Sequence, residues 1–483
     1  MYVPAGYALV LKQFFVARSF FYAGTLGLVI LLLVSLAMSG QERRRKSMLD
    51  YLLSLFAAFT VLPVFLAIPF HEAVRTTSFL NAYFEMVSCL TTTGATMFED
   101  PGRLSAPLHL WRALVGWLGG LLMWIAASAI LAPLNLGGFE VTASAEPGQG
   151  GNDVFDPQDA SRRLFRITSQ LFPIYAGLTL TLWLLLQILG DSPIVALSHA
   201  MSTLATSGIS PVGGTQNTVS GVNGEMIIFL FLLFALSRLT FSGDTLMSAR
   251  QSILRDPEFR IGLILVVGLP LLLFFRHWIA AFEVASAESI WVAARALWGG
   301  MFTVLSFLST TGFESADWAD TRNWSGLGTP GLILMALALI GGGVATTAGG
   351  VKLLRVFAMY LHGLREMHRL VYPSSVGRMT SQSRRIQRNG AFVAWIFFML
   401  FAISLTGVVL VFAALGATFE QAMVLGISGL STTGPLITSA IDVPISLFDL
   451  DAAAKLVFCA TMVLGRLETL AIIALFNPEL WRR

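Results

Sequence analysis

Apolar runs of about 18 residues or more recur along the whole chain, and no other feature narrows the possible folds so far. Phe20–Met38 and Leu171–Leu189 are two examples, each long enough to cross a hydrocarbon core about 30 Å thick. The runs predict about nine spanning helices, near residues 17–38, 50–70, 108–133, 165–190, 223–246, 259–276, 329–365, 391–416 and 454–477. Only 12% of the residues are charged, against about 25% in a soluble domain. A mean hydropathy of +0.74 agrees. The expected fold class is an all-α integral membrane protein.

The sequence pI of about 9.0 would suggest a nucleic-acid partner in a soluble protein. Here the basic residues concentrate in particular loops, as on the cytoplasmic side of a bilayer protein, and no nucleic acid is expected. The clusters are Arg43–Lys46; Arg162, Arg163 and Arg166; Arg250, Arg255 and Arg260; Arg365 through Arg388; and Arg482 with Arg483. The opposite loops hold Glu99, Asp100, Asp191, Glu314, Asp317, Asp320, Asp442, Asp449 and Asp451. Nine spans then place the C-terminus in the cytoplasm and the N-terminus outside, although Lys12 and Arg18 pull the other way. The first run is long and has no small-residue cleavage pattern, so it reads as a helix rather than a removable signal. Cys89 and Cys459 sit in apolar stretches and suit small core residues better than a disulfide or metal site.

Between the long runs lie four shorter segments that end alike. They read Phe84-Glu-Met-Val-Ser-Cys-Leu-Thr-Thr-Thr-Gly94, His199-Ala-Met-Ser-Thr-Leu-Ala-Thr-Ser-Gly208, Phe302-Thr-Val-Leu-Ser-Phe-Leu-Ser-Thr-Thr-Gly312 and Val424-Leu-Gly-Ile-Ser-Gly-Leu-Ser-Thr-Thr-Gly434. The glycines lie 114, 104 and 122 residues apart, so one supersecondary unit recurs. A segment this short is expected to be re-entrant, and irregular backbone at membrane depth must be buried in protein or face water. Four such loops on one face can surround one axis, where backbone carbonyls replace the hydration shell of a cation. Glycine can turn carbonyls inward, hydroxyls of the preceding Thr or Ser can hold the loop, and the partly negative C-terminal ends of the short helices favour cations. The chain therefore divides into an N-terminal helix and basic loop (1–48) and four helix–pore-loop–helix repeats, at 49–140, 141–256, 257–388 and 389–483.

These residues resemble the Trk/Ktr/HKT superfamily of potassium transporters, its bacterial TrkH-type subunit most closely. The likeness runs through Thr91-Thr-Thr-Gly-Ala-Thr96, Leu110-Trp-Arg-Ala-Leu-Val-Gly-Trp-Leu-Gly-Gly120, Asp256-Pro-Glu-Phe-Arg260, Thr310-Thr-Gly-Phe313, Thr346-Thr-Ala-Gly-Gly-Val-Lys352, Thr433-Gly-Pro435 and Leu464-Gly-Arg-Leu-Glu468. The resemblance implies that Thr92, Thr93 and Gly94, Thr206, Ser207 and Gly208, Thr310, Thr311 and Gly312, and Thr432, Thr433 and Gly434 form a potassium-binding filter. It implies K+ as the transported ion, no bound cofactor, a bacterial inner-membrane location in contact with lipid, and a homodimer. It also implies a cytoplasmic Rossmann-type nucleotide-binding regulatory subunit of the TrkA-like kind, for which the basic loop 365–388 is the expected dock. Three departures stand out. Only one full helix precedes the first repeat, its partner being shortened or lost within Met1–Gln13. The exit from the second repeat reads Phe234-Ala-Leu-Ser-Arg-Leu-Thr-Phe-Ser-Gly243, with Arg238 in an apolar setting. Leu436 stands where a second glycine is common.

Ile340-Gly-Gly-Gly-Val-Ala-Thr-Thr-Ala-Gly-Gly-Val351 interrupts the second long helix of the third repeat. Each glycine weakens a helix by about 1 kcal/mol relative to Ala, and small residues also serve close helix packing. The segment does not match a phosphate loop. By position and resemblance it is an intramembrane gating loop, with Gly341, Gly342, Gly343, Thr346, Thr347, Gly349, Gly350 and Lys352 as gating residues. Arg466 lies inside the last spanning helix; a charge at that depth faces a cavity or a partner, and here it is expected to form a constriction below the filter. Glu85, in the first short helix, is a candidate for steadying the loop by hydrogen bonds.

Potassium uptake down the electrochemical gradient is the expected function. The alternative with the same architecture is a sodium-permeable or proton-coupled cation symporter. A coupled carrier of another fold would suit inverted repeats better than four parallel units. An enzyme is not expected: there is no H-E-x-x-H, no G-x-S-x-G, and the six histidines are scattered.

Overall fold

The computed structural model describes residues 1–39, 48–132, 157–237, 256–280, 290–326, 328–372, 391–441 and 443–476. Apolar composition makes the helices, and caps, prolines and glycines set where they stop. Tyr2–Val10 (α1) folds back on Phe14–Met38 (α2) through a turn in which Lys12 takes φ 59°. The helix missing from the N-terminus is thus present as a half-length one. Met48–Thr60 (α3) and Leu62–Val74 (α4) share one apolar run that is interrupted where Pro63, with no amide proton, enters the first turn of α4. Phe79–Leu90 (α5) is short and starts on Ser78, whose hydroxyl accepts from Asn81 N at 3.3 Å. Ala106–Ala126 (α6) leads away from it.

The succession of long, short and long then recurs. Pro157–Ile188 (α7), Pro193–Ala205 (α8) and Gly221–Leu232 (α9) form the second set. Pro257–Ala280 (α10) and Ile290–Leu308 (α11) open the third, which continues through Trp318–Ser325 (α12), Pro330–Ile340 (α13) and Leu353–Val371 (α14). Ala391–Ala414 (α15), Phe419–Ser431 (α16), Leu436–Ser439 (α17) and Ala452–Phe476 (α18) complete the chain. A reciprocal capping box between Thr418 and Gln421 starts α16.

Seven helices among the described residues are long and apolar enough to span a bilayer, or eight if one bent pair counts as a span. Six of them match expected runs. The seventh, Trp291–Leu308, lies in α11, where a half-length segment was expected: 19 residues long, this helix nevertheless ends like the other three short helices. The expected spans near 223–246, 329–365 and 454–477 are each interrupted or only partly described. The first is described as Gly221–Leu236, the second breaks after Ile340, and the third carries non-helical backbone at Glu468 (φ 56°, ψ 135°). Of the basic clusters, Arg43–Lys46, Arg250, Arg255, Arg378–Arg388 and Arg482–Arg483 lie outside the described residues, as do Arg238 and Asp442.

The helices close on themselves. A helix that follows each of the segments ending in Gly94, Gly208, Gly312 and Gly434 packs against the next such segment in the ring: α6 on α8, α9 on α11, α13 on α16, and α18 on α5. Burial is inverted relative to a soluble protein. Leu31, Leu184, Ile264 and Ile403 on the long helices point outward, while Ser88, Thr92, Ser202, Thr206, Ser306, Thr310, Ser428 and Thr432 are buried at the centre. That is the arrangement of a multi-pass membrane protein, with apolar chains toward lipid and hydroxyl-bearing residues gathered inside.

Candidate functional site

All four short helices end in the same turn. In each, an amide bonds the carbonyl five residues back: Thr93 N to Ser88 O, Ser207 N to Ser202 O, Thr311 N to Ser306 O and Thr433 N to Ser428 O, every one at 2.9 Å. The residue before each amide is left-handed: Thr92 (φ 56°), Thr206 (49°), Thr310 (58°) and Thr432 (56°). This is a Schellman termination with threonine where glycine is the usual choice. It sends the chain sharply off the helix axis and exposes the carbonyls that follow. Gly94, Gly208 and Gly312 also have positive φ, at 74°, 65° and 82°. Gly434 is not among the positive-φ residues, so the inward turn expected of the glycines falls first on the threonines.

The four turns meet. A Cβ on Gly94 would stand 1.9 Å from Ser207 O, one on Gly208 2.3 Å from Thr311 O, one on Gly312 3.0 Å from Pro435, and one on Gly434 2.1 Å from Ala95 N. Gly434 N donates to Thr93 O at 2.6 Å, which closes the ring. Backbone excludes a side chain at Gly94, Gly208 and Gly434, and at Gly312 a Cβ would press on the Pro435 ring at a φ of 82°, which accounts for the four glycines. Hydroxyl pairs brace three of the turns: Thr91 with Thr93 at 2.8 Å, Ser309 with Thr311 at 3.0 Å, and Ser431 with Thr433 at 3.1 Å. In the second turn Ala205 replaces the first hydroxyl, and Ser207 donates to Ser202 at 3.1 Å instead.

On one side the glycine ring opens into a cavity of about 420 Å³, lined by all four glycines together with Glu99, Ser210, Phe313, Glu314 and Pro435. The Gly341–Lys352 segment meets the ring from the other side, at the threonines. Gly349 N donates to Thr310 Oγ1 at 2.7 Å, and Thr206 Oγ1 donates to Thr347 Oγ1 at 3.1 Å. Thr347 Oγ1 in turn donates to Leu204 O at 3.1 Å. A Cβ on Gly349 would be 2.2 Å from Ser431 O. The segment is a non-helical loop pressed against three of the four turns.

Cations staple this loop in place. Arg466 Nη1 donates to Thr347 O at 2.6 Å, Lys352 Nζ donates to Ala348 O, and Arg355 Nη1 donates to Val351 O at 3.1 Å. Arg355 also bonds Glu468 Oε2 at 2.7 Å and lies 3.6 Å over the Phe397 ring. Val344 N donates to Glu258 Oε1 at 3.2 Å and Gly343 N to Ala235 O at 3.0 Å. Arg466 is therefore bonded to the loop rather than reaching for an interface.

The sequence-predicted filter and loop residues come together at one place, and Glu85 does hold the first turn. Its Oε2 accepts from Met97 N at 3.0 Å while Oε1 pairs with Arg112 Nε at 2.7 Å. Other contributors were not singled out from sequence. The serine six residues before each glycine was visible in the alignment but carried no assigned role. Glu225 accepts from Ser315 Oγ at 2.7 Å, Ala316 N at 2.7 Å and Trp298 Nε1 at 3.1 Å, bonds made across 73 to 91 residues that leave no local signal. The Arg355–Glu468 pair is equally non-local.

An all-helical, multi-pass membrane protein whose four short helices converge on a buried ring of backbone carbonyls belongs to the class of ion-translocating proteins. Residues 47–483 match the sequence model of the family described as "TrkH: Cation transport protein", and the chain belongs to that family, one of transporters rather than enzymes. It is 30% identical over 417 residues to the Trk system potassium uptake protein TrkH of Halomonas elongata, covering 83% of this chain and 80% of that one. The protein of the same name from Escherichia coli K12 is 29% identical over 411 residues, covering 83% and 79%. The crystal structure of the potassium transporter TrkH from Vibrio parahaemolyticus superposes with a TM-score of 0.80 at 25% identity, covering 99% of this chain and 95% of the other.

Proposed function

We propose that this chain is the ion-conducting subunit of a Trk-type potassium uptake system. The glycine ring is its selectivity filter and the Gly341–Lys352 loop its gate. One observation carries this above the rest: four turns from separate parts of the chain close into one ring, with a cavity on one face and a stapled loop on the other. Carbonyls around Thr92–Gly94, Thr206–Gly208, Thr310–Gly312 and Thr432–Gly434 would replace the hydration shell of K+, and the C-terminal ends of the four short helices add negative potential there. The repeat boundaries at 49–140, 141–256, 257–388 and 389–483 follow from the same four turns. Potassium as the ion is supported by the names of the relatives and by a filter with glycine in all four positions.

In the same proposal the glycine-side cavity with Glu99 and Glu314 is the extracellular vestibule, and the gate side with the basic loops is cytoplasmic, as is the C-terminus. The bacterial inner membrane, a homodimer and a nucleotide-binding cytoplasmic regulator belong to it by family likeness. The test is growth of a potassium-uptake-deficient bacterium at limiting potassium. The native chain restores growth, and Gly312→Asp or Gly434→Asp abolishes it, because a side chain meets the Pro435 ring at the first position, where φ is 82°, and the Ala95 backbone at the second. Undiminished growth of both variants at normal expression refutes the filter.

A further inference from the structure

Nine residues before each ring glycine, by their numbers, stand Glu85, His199, Thr303 and Leu425, all wholly buried. A polar group inside an apolar helix is costly without a hydrogen bond, and each of the three polar ones has one. Glu85 Oε2 accepts from Met97 N at 3.0 Å, His199 Nε2 meets Ser210 Oγ at 2.8 Å, and Thr303 Oγ1 accepts from Ser315 N at 3.3 Å. Every partner lies two or three residues beyond the glycine. The chain leaves the short helix, turns at the ring, and is buckled back to the helix it came from.

The buckles differ in chemistry. The first is an ion pair braced by Arg112, the third a hydroxyl. The fourth is absent because Leu425 cannot bond; there the chain enters Leu436–Ser439 directly, and Gly434 leans on Thr93 O. The second is the imidazole. Ser210 Oγ accepts from Val212 N at 3.2 Å and Gly214 N at 2.9 Å, which uses both lone pairs of a hydroxyl. Its own proton is then directed to His199 Nε2, which accepts it as a neutral imidazole, while Nδ1 is buried without a hydrogen-bond partner. The imidazole also lies edge-on to Phe313, 5.5 Å between centroids at 72°, and Phe313 follows Gly312. His199 thus touches the outgoing segments of two adjacent turns, and Ser210 and Phe313 both line the cavity above the ring.

We propose that His199 is a positioning residue of the filter: through Ser210 and Phe313 it sets the spacing of the second and third turns, and so contributes to discrimination among monovalent cations. This rests on the filter assignment above. A histidine that only fills space would be replaced without consequence by a leucine of similar bulk; a buckle requires an acceptor at the Nε2 position.

The experiment measures initial uptake of K+, Rb+ and Na+ in potassium-uptake-deficient cells expressing the full chain. Losing one net buried hydrogen bond predicts that His199→Leu and Ser210→Ala each change the Rb+/K+ or Na+/K+ uptake ratio by about five-fold. The double variant falls short of the product of the two single changes, because both remove the same His199–Ser210 bond, although Ser210→Ala also frees Val212 N and Gly214 N and His199→Leu also removes the edge contact on Phe313. His199→Gln, whose amide oxygen accepts from Ser210, stays within about two-fold of the native ratio. Native ratios in both single variants, or a Gln variant no better than Leu, overturn the proposal. Should His199→Leu fail to accumulate, His199→Phe, which keeps a ring and cannot bond Ser210, takes its place in the comparison with His199→Gln; Ser210→Ala alone does not decide, because it also frees Val212 N and Gly214 N. Gly208→Asp is the separate control: intact uptake in that variant refutes the filter itself, independently of His199.

Discussion

At Thr92, Thr206, Thr310 and Thr432 a β-branched residue occupies the left-handed region, at a cost of about 1–2 kcal/mol each relative to glycine. The hydroxyl accounts for it at two of the four. Thr206 and Thr310 bond the gating loop, which glycine cannot do. Strain held at a functional turn is offset by packing elsewhere, and the burial of all four side chains supplies that packing. Glu85 and Arg112 make the most exacting residue-scale case, with both side chains almost fully buried. Removing one charge leaves the other unpaired, at a cost of about 3–5 kcal/mol. Glu85→Leu should therefore lower the detergent Tm markedly, and Glu85→Leu with Arg112→Met should recover most of the loss. Equal Tm values for native and Glu85→Leu protein would show the pair to be idle.

At the scale of elements, the Gly341–Lys352 loop, proposed above as the gate, interrupts what would otherwise be one helix. Five glycines between Ile340 and Val351 remove helix propensity, and amides so released find partners on Thr310 of the third turn, on Ala235 O and on Glu258. Opening must break the bonds that Arg466, Lys352 and Arg355 make to this loop. A hydrogen bond from a charged group is worth about 1.5–3 kcal/mol. Arg466→Leu should accordingly raise ion flux into proteoliposomes, measured without any partner protein, by about ten-fold. Gly349→Ala, whose Cβ would stand 2.2 Å from Ser431 O, should shift flux in the same direction by expelling the loop. Unchanged flux in both variants would remove the loop from the gating role. α18 serves the same contact: its break at Glu468 presents that carboxylate to Arg355, two residues past Arg466, so one short stretch of chain reaches both the loop and the helix that follows it.

For the molecule as a whole, the closing contact is between first and last. Phe84 on α5 stacks on Phe458 of α18 at 5.5 Å and 16°, the seam where the fourth unit meets the first. Phe458→Ala removes a wholly buried ring and should cost about 3–5 kcal/mol, read as a lowered Tm in detergent. Leu410→Ala, an outward-facing change of similar kind, should leave Tm nearly unchanged. Comparable losses in the two variants would mean that the seam does not hold the ring closed.

Hydrophobic run length determined the membrane class, since few charges and long apolar stretches admit no other surface. The fourfold Ser/Thr–Thr/Ser–Gly ending marked the ring, because glycine tolerates neighbouring chain so near, and that requirement is written residue by residue. The expected half length failed at α11, a 19-residue helix that ends at the ring like its shorter counterparts: the shared Thr-Gly ending records where a helix stops, not how far back it begins. The buckles, the Arg355–Glu468 pair and the reach of Glu225 to the third turn were decided by tertiary structure alone. Each depends on distance between residues far apart in the chain, and hydrogen bonding acts over about 3 Å in space with no regard for sequence separation.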